Sequence, residues 1–218
     1  NPWDHRTPVH CAIRRRHVGM LRMLVAAKAD VDKVDDDVWE TETPAYFVVH
    51  DRNEEMLCIL IEAKADVNKR TEPAGHIAAA QHRNEEFLRL LIEAKADISQ
   101  ACVDGWTPVH FVVQNRCEEM LRILIEAKTD LNQRCEPYGY TPAHIAAEDR
   151  NSEMLRILIE AKADMNKVNE FAETPSAIWA TVNGESATHT ATSSTIRKQP
   201  PHSAAVKMRK RKRDDSMT

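Results

Sequence analysis

Glycine is scarce in this chain of 218 residues, with five in all, and none builds a phosphate-cradling G-x-x-x-x-G-K loop. H-E-x-x-H and G-x-S-x-G are absent too, which removes two common hydrolase signatures. Catalysis is therefore not expected of this chain, and no cofactor or metal is implied. No apolar run approaches the ~18 residues of a membrane-spanning helix, and no secretory signal opens the sequence. The cysteines Cys11, Cys58, Cys102, Cys117 and Cys135 are odd in number and form no C-x-x-C pair. They read as reduced thiols of an intracellular protein, cytoplasmic or nuclear. The chain begins at Asn1, already inside a repeat-like stretch, as a piece of a longer protein would.

Against these absences stands one recurring phrase, Leu-x-Ile-Leu-Ile-Glu-Ala-Lys-Ala-Asp. With small variations it spans Leu21 to Asp30, Leu57 to Asp66, Leu88 to Asp97, Leu121 to Asp130 and Leu155 to Asp164. Its lysines, Lys28, Lys64, Lys95, Lys128 and Lys162, lie 36, 31, 33 and 34 residues apart. A period near 33 predicts stacked helical repeats, each burying its apolar face on its neighbours in one elongated array. Net charge is −4 but divided. From residue 183 onward eight Lys/Arg against Glu185, Asp214 and Asp215 give +5, which leaves −9 for residues 1–182. An acidic body disfavours a nucleic-acid platform, because phosphate binding needs a basic face.

Residues 138–168 show one repeat in physical terms. Tyr138-Gly139-Tyr140 is a turn. Thr141 caps a helix whose first position is Pro142, where the missing N–H costs nothing. Ala143 to Asp149 form a short first helix, with Ala146 and Ala147 small enough for close approach. After Arg150-Asn151, Ser152 to Lys162 form a second helix with Met154, Leu155, Ile157, Leu158 and Ile159 as its apolar stripe.

This pattern resembles the ankyrin repeat, whose signature is T-P-L-H-x-A in a turn plus two helices. It is carried by Thr7-Pro8-Val9-His10-Cys11-Ala12, Thr107-Pro108-Val109-His110 and Thr141-Pro142-Ala143-His144-Ile145-Ala146, with a weaker copy at Thr43-Pro44-Ala45-Tyr46. Asp104-Gly105-Trp106-Thr107-Pro108 resembles the family's finger loop. The resemblance implies an all-α ankyrin-repeat solenoid of stacked helix-turn-helix units with finger loops over residues 1–182; the tail, 183–218, is Ser/Thr/Pro-rich and then basic, a composition that reads as disorder. The repeats run about 3–34, 35–69, 70–101, 102–135 and 136–168, with a partial sixth at 169–182. The third repeat, around Thr71 to Ala78, lacks Thr-Pro and has a short finger, so His76 has no secure alignment. The family favours Gly in the turn between helices and after the second helix. Here those places hold Arg16, Arg52, Arg83, Arg116 and Arg150, and the five lysines. Left-handed backbone at such residues costs about 1 kcal/mol or more each, partly offset by positive charge at a helix C-terminus. A marginally stable array is expected.

The resemblance also implies a protein partner, bound along the concave face built from finger tips and first-helix polar positions. No membrane association and a monomeric state are expected. By alignment the polar pairs before each inter-helix turn are Arg14-Arg15, His50-Asp51, Gln81-His82, Gln114-Asn115 and Glu148-Asp149. They run from doubly basic to doubly acidic, which suits an extended, polarised partner; chance ordering of solvated positions is the alternative. Trp39, Trp106 and Tyr140 in finger loops, and Phe47 and Phe111 on first helices, are candidate interface anchors, or else pack between neighbouring fingers. The acidic finger Asp35 to Glu40 is either a contact for a basic peptide or a solvated loop. His10, His110 and His144 are structural in the family. One per repeat, about 10 Å apart, they cannot converge on a zinc ion.

In the tail, Lys207, Arg209, Lys210, Arg211, Lys212 and Arg213 fit a basic nuclear-localisation cluster, with a weak RNA or acidic-lipid contact, or no function, as the alternatives. Asn68, Asn132 and Asn166 sit where asparaginyl hydroxylases modify ankyrin repeats, a pattern that is also plain repeat consensus. The favoured reading is a non-catalytic scaffold, adaptor or regulator. The alternatives are the targeting fragment of a larger enzyme, such as a kinase or ubiquitin ligase, and a nuclear regulator imported through its tail.

Overall fold

The computed structural model describes residues 7–34, 43–68, 84–102 and 104–184. Within these, ten helices and no strand are formed. They divide between two compact units, residues 1–103 and 104–218. The N-terminal unit holds α1 (Pro8–Arg14), α2 (Val18–Ala26), α3 (Pro44–His50), α4 (Glu54–Glu62) and α5 (Glu85–Glu93). The C-terminal unit holds α6 (Pro108–Gln114), α7 (Glu118–Glu126), α8 (Pro142–Glu148), α9 (Ser152–Glu160) and α10 (Pro175–Asn183).

The first helices, α1, α3, α6 and α8, are seven residues long, and each begins with proline behind a threonine in extended backbone. Thr7 and Thr43 accept the amides of His10 and Tyr46 on their hydroxyl oxygens. The second helices are nine residues long, and Asn53, Asn84 and Asn151 cap α4, α5 and α9 by accepting an amide three residues on, at 3.0–3.1 Å. A seven-residue helix is too short to persist in water by itself, so its stability comes from packing. In the N-terminal unit α1 packs on α2 and α3, α3 on α4, and α4 on α2 and α5. In the C-terminal unit α6 packs on α7 and α8, α8 on α9 and α10, and α9 on α7. First helices thus stack on first helices and second on second. The cores of the two units are made of Leu21, Met56, Leu57, Leu60, Phe87 and Leu88, and of Met120, Leu121, Leu124, Met154 and Leu158, all fully buried.

The arginine of each inter-helix turn and the lysine that follows each second helix, where the structure describes them, adopt left-handed backbone. Arg16, Arg52, Arg116 and Arg150 have φ between 51° and 56°, and the five lysines between 58° and 63°. The helix then closes with paired bonds, as at Lys28, whose N–H donates to the Val25 carbonyl while that of Ala29 donates to Leu24. Among the described helices only α10 ends in glycine, Gly184 at φ 74°. Gly105 has no freedom to change. Its φ is 73°, and a Cβ there would lie 3.1 Å from the Cys135 Cα and 3.2 Å from the Glu136 nitrogen.

The irregular stretch from Thr71 to Ala78, with His76 and Arg83, lies outside the described residues, as do the acidic finger Asp35 to Glu40 and the tail from 185. No helix among the described residues is long and apolar enough to cross a membrane.

Candidate functional site

The histidines are fixed by the backbone around them. The Nδ1 of His110 accepts the Thr107 amide at 3.1 Å, and that of His144 accepts the Thr141 amide at 3.1 Å. A ring nitrogen that accepts an N–H carries no proton, so Nε2 holds it and donates, to the Tyr140 carbonyl at 3.3 Å and the Glu173 carbonyl at 3.1 Å. The threonine hydroxyls, 2.8 Å from the same Nδ1 atoms, donate to them. Each imidazole thereby ties the start of its first helix to the finger of the following repeat. Burial pushes the His144 pKa below the ordinary imidazole value, outweighing the Glu173 carbonyl that favours the charged form. No group of three or more potential metal ligands is assembled among the described residues.

The asparagines and their equivalents form a second ladder. The amide of Asp66 donates to Asp32 Oδ1 at 2.8 Å, that of Asp97 to Asn68 Oδ1 at 2.7 Å, and that of Asp164 to Asn132 Oδ1 at 2.7 Å. Asn68 also donates from Nδ2 to the Lys95 carbonyl at 3.1 Å. Asn68 and Asn132 thus link neighbouring repeats. Asn166 is exposed and makes no such link among the described residues, where the sixth repeat has no second helix.

The finger aromatics separate into two groups. Trp106 is only 4 % exposed and lies against His110 and Phe111, with ring centroids 5.5 and 4.9 Å away. Tyr140 is 5 % exposed and stacks on His144 at 5.4 Å. Both are packing residues, so neither presents an open ring to a partner. Tyr138 and Phe171, neither of them among the candidate anchors, face each other at 5.8 Å, with Phe171 51 % exposed. Beside them Arg134 is ion-paired with Glu170 and donates from Nε to the Gly139 carbonyl. The spacing Trp106/His110 and Tyr140/His144, four residues apart in each repeat, was the available signal that those two rings pack inward. Phe171 and Tyr138 hold the same position, three residues before Thr-Pro in successive repeats, and that recurrence of an aromatic was the signal available for them.

Among the first-helix pairs, Arg14 and Arg15 are exposed. Arg14 Cζ sits 5.7 Å from the centroid of the Phe47 ring. Phe47 is half-buried, edge-on to His10 at 5.8 Å and to Tyr46 at 5.5 Å. His50 is exposed, stacks on Tyr46 at 6.0 Å, and its Nδ1 is 3.3 Å from Asp51 Oδ1. In the C-terminal unit Phe111, Gln114, Asn115, Glu148 and Asp149 are half-buried, and the Asp149 carbonyl accepts a bond from Arg116 at 3.1 Å. Trp39, Gln81, His82 and the basic cluster Lys207 to Arg213 lie outside the described residues. The structure joins Arg14, Phe47 and His50 through ring contacts with His10 and Tyr46.

Residues 75–169 match the family of ankyrin repeats in three copies, and residues 9–61 match that of ankyrin repeats in many copies. The chain is an ankyrin-repeat protein. The ankyrin repeat domain of Bcl-3, described as a unique member of the IkappaB protein family, superposes with a TM-score of 0.61 at 19 % identity, covering 80 % of this chain and 94 % of that one. EF0377, an ankyrin repeat protein, gives 0.68 at 21 % identity, with 82 % and 92 % covered. At these identities the likeness concerns the ankyrin fold. No curated protein matches the chain. Ankyrin repeats are generally protein–protein interaction modules, which turns attention from catalysis to exposed faces.

Proposed function

We propose that this ankyrin-repeat protein is a scaffold, adaptor or regulator that binds another protein through the ends of its first helices and its finger tips, the surface that is concave in the family. The observation that carries this reading is the exposed polar and aromatic character of the first-helix ends in α1 and α3. Arg14, Arg15 and His50 stand clear of the core, and Arg14 and His50 are braced by Phe47 and Tyr46. Aromatic and arginine side chains of this kind dominate the energetics of protein interfaces. Phe171 and Tyr138 supply a second aromatic element on adjacent fingers of the C-terminal unit. Second-helix outer positions such as Glu62, Glu93, Glu126 and Glu160 recur unchanged in successive repeats and are exposed, which suits a solvated face rather than a selective one.

The reading is tested by affinity capture with the full chain. A variant with Arg14 and Arg15 changed to Glu and Glu148 and Asp149 changed to Lys is compared with the unaltered protein, after circular dichroism shows that it keeps its helices. Captured protein is expected to fall at least about tenfold, since reversing charge at a rim converts attraction to repulsion. Equal capture by both would discard the first-helix face.

A further inference from the structure

We propose that α1 and α3 form a docking surface for an acidic peptide segment of the partner, with Arg14 as its pre-oriented centre. This rests on the first-helix reading above and specifies its chemistry. Arg14, Arg15 and Arg16 follow one another at the end of α1, all three are exposed, and none forms an ion pair among the described residues. Their charge is therefore not spent within the repeat array described.

The second ingredient is the aromatic brace. Phe47 comes from the next first helix, and Arg14 lies over its ring at 5.7 Å. Phe47 is itself held edge-on between His10 and Tyr46, and His10 is fully buried with its Nδ1 2.8 Å from the Thr7 hydroxyl. A chain of contacts thus runs from a fixed core imidazole to a surface guanidinium. An arginine stacked on a ring has lost much of its rotamer freedom before any ligand arrives, so its planar fork meets a carboxylate at lower entropic cost. A bidentate carboxylate bond is the strongest contact this geometry offers.

The surroundings select a peptide over a nucleic acid. Asp51 lies beside His50 at the end of α3, the helix that supplies Phe47, whereas Glu54 and Glu55 at the start of α4 are engaged by Asn84 and Arg22. A duplex backbone carries a charge every ~1.7 Å, and running on from α1 to α3 it would bring phosphates against Asp51. A short run of Asp or Glu needs only the arginines and leaves the acidic neighbours untouched. Acidic side chains of a partner, rather than a phosphate polymer, are the matching chemistry.

The test is fluorescence anisotropy of the full chain with labelled peptides of alternating Glu and Gly, the same peptide with Gln for Glu, and a single-stranded RNA of equal charge. The Glu peptide is expected to bind at least about tenfold tighter than the Gln peptide and to weaken steeply with salt. Arg14→Glu with Arg15→Glu is expected to abolish this preference. Phe47→Leu keeps the apolar packing and every charge but removes the ring face, and is expected to weaken the Glu peptide about threefold. Equal binding of Glu and Gln peptides, full binding by the double reversal, or tighter binding of the RNA through the same arginines would each overturn the proposal. The two readings fail separately: capture of a partner that is lost in Glu148→Lys with Asp149→Lys, with no preference for the acidic peptide, removes only the acidic docking surface.

Discussion

Replacing Lys28, Lys64, Lys95, Lys128 and Lys162 together with glycine is expected to stabilise the protein against urea by roughly 2–3 kcal/mol. All five lysines hold φ between 58° and 63°, where a Cβ crowds the following carbonyl at a cost of about 1–2 kcal/mol. Glycine removes that strain, at an entropic cost of about 0.5–1 kcal/mol in the unfolded chain. It also removes a positive charge from each helix C-terminus, worth about 0.3 kcal/mol at an exposed site. The net gain is about 0.5 kcal/mol per site, and sites one repeat apart without shared partners add. The backbone bonds at these positions, such as Lys64 N–H to the Ile61 carbonyl and Lys95 N–H to that of Ile92, need no side chain. The control is the same set changed to alanine, which loses the charge but keeps the Cβ. It is expected to be no more stable than the parent. If the alanine set gains as much as the glycine set, left-handed strain is not what limits stability.

The second large effect is at His144. Changing it to leucine is expected to cost about 3 kcal/mol, because the Thr141 amide and hydroxyl lose their buried acceptor while the finger at Glu173 loses its tie to α8. The Glu173 carbonyl keeps the Asn169 amide, so most of the cost falls at the helix start. A pH signature accompanies it. Burial holds the His144 pKa below the ordinary value, so from about pH 6.5 downward the unfolded chain takes up a proton that the folded chain refuses. Stability from this group is complete above that pH and is lost as pH falls towards the native value. Urea unfolding at about pH 8 and about pH 5.5 is expected to show a smaller acid loss in His144→Leu than in the parent. Equal acid losses would mean that this imidazole is not the sensitive group.

The helical frame was legible because its signals are local. Thr-Pro places the first helices, Asn caps most of the second ones, and the Leu-x-Ile-Leu part of the phrase carries the apolar stripe, each repeated at one period; the isoleucine that follows lies outside the core, Ile159 being 55 % exposed. The left-handed sites were legible in the same way, since the basic residues stand where the family has glycine. The binding surface was less so. Whether a finger ring points in or out depends on its contacts with neighbouring side chains. Trp106 and Tyr140 are drawn inward by an imidazole four residues on, whereas Phe171 sits in a turn that closes on Asn169 and stays open. In the sequence Arg14 shows only as a charge. Its stacking on Phe47 joins residues 33 positions apart and appears only once α1 and α3 are packed together.

The binding face is tested most directly by site-specific photo-cross-linking in cells that express the full chain. Benzoylphenylalanine is placed singly at Arg15 and Glu148, on the first-helix ends, and at Glu62 and Glu126, on exposed second-helix positions. A discrete cross-linked protein from Arg15 and Glu148, and none from Glu62 and Glu126, is the expected result. Cross-links from the second-helix positions alone, or equally from all four, would contradict binding through the first-helix face.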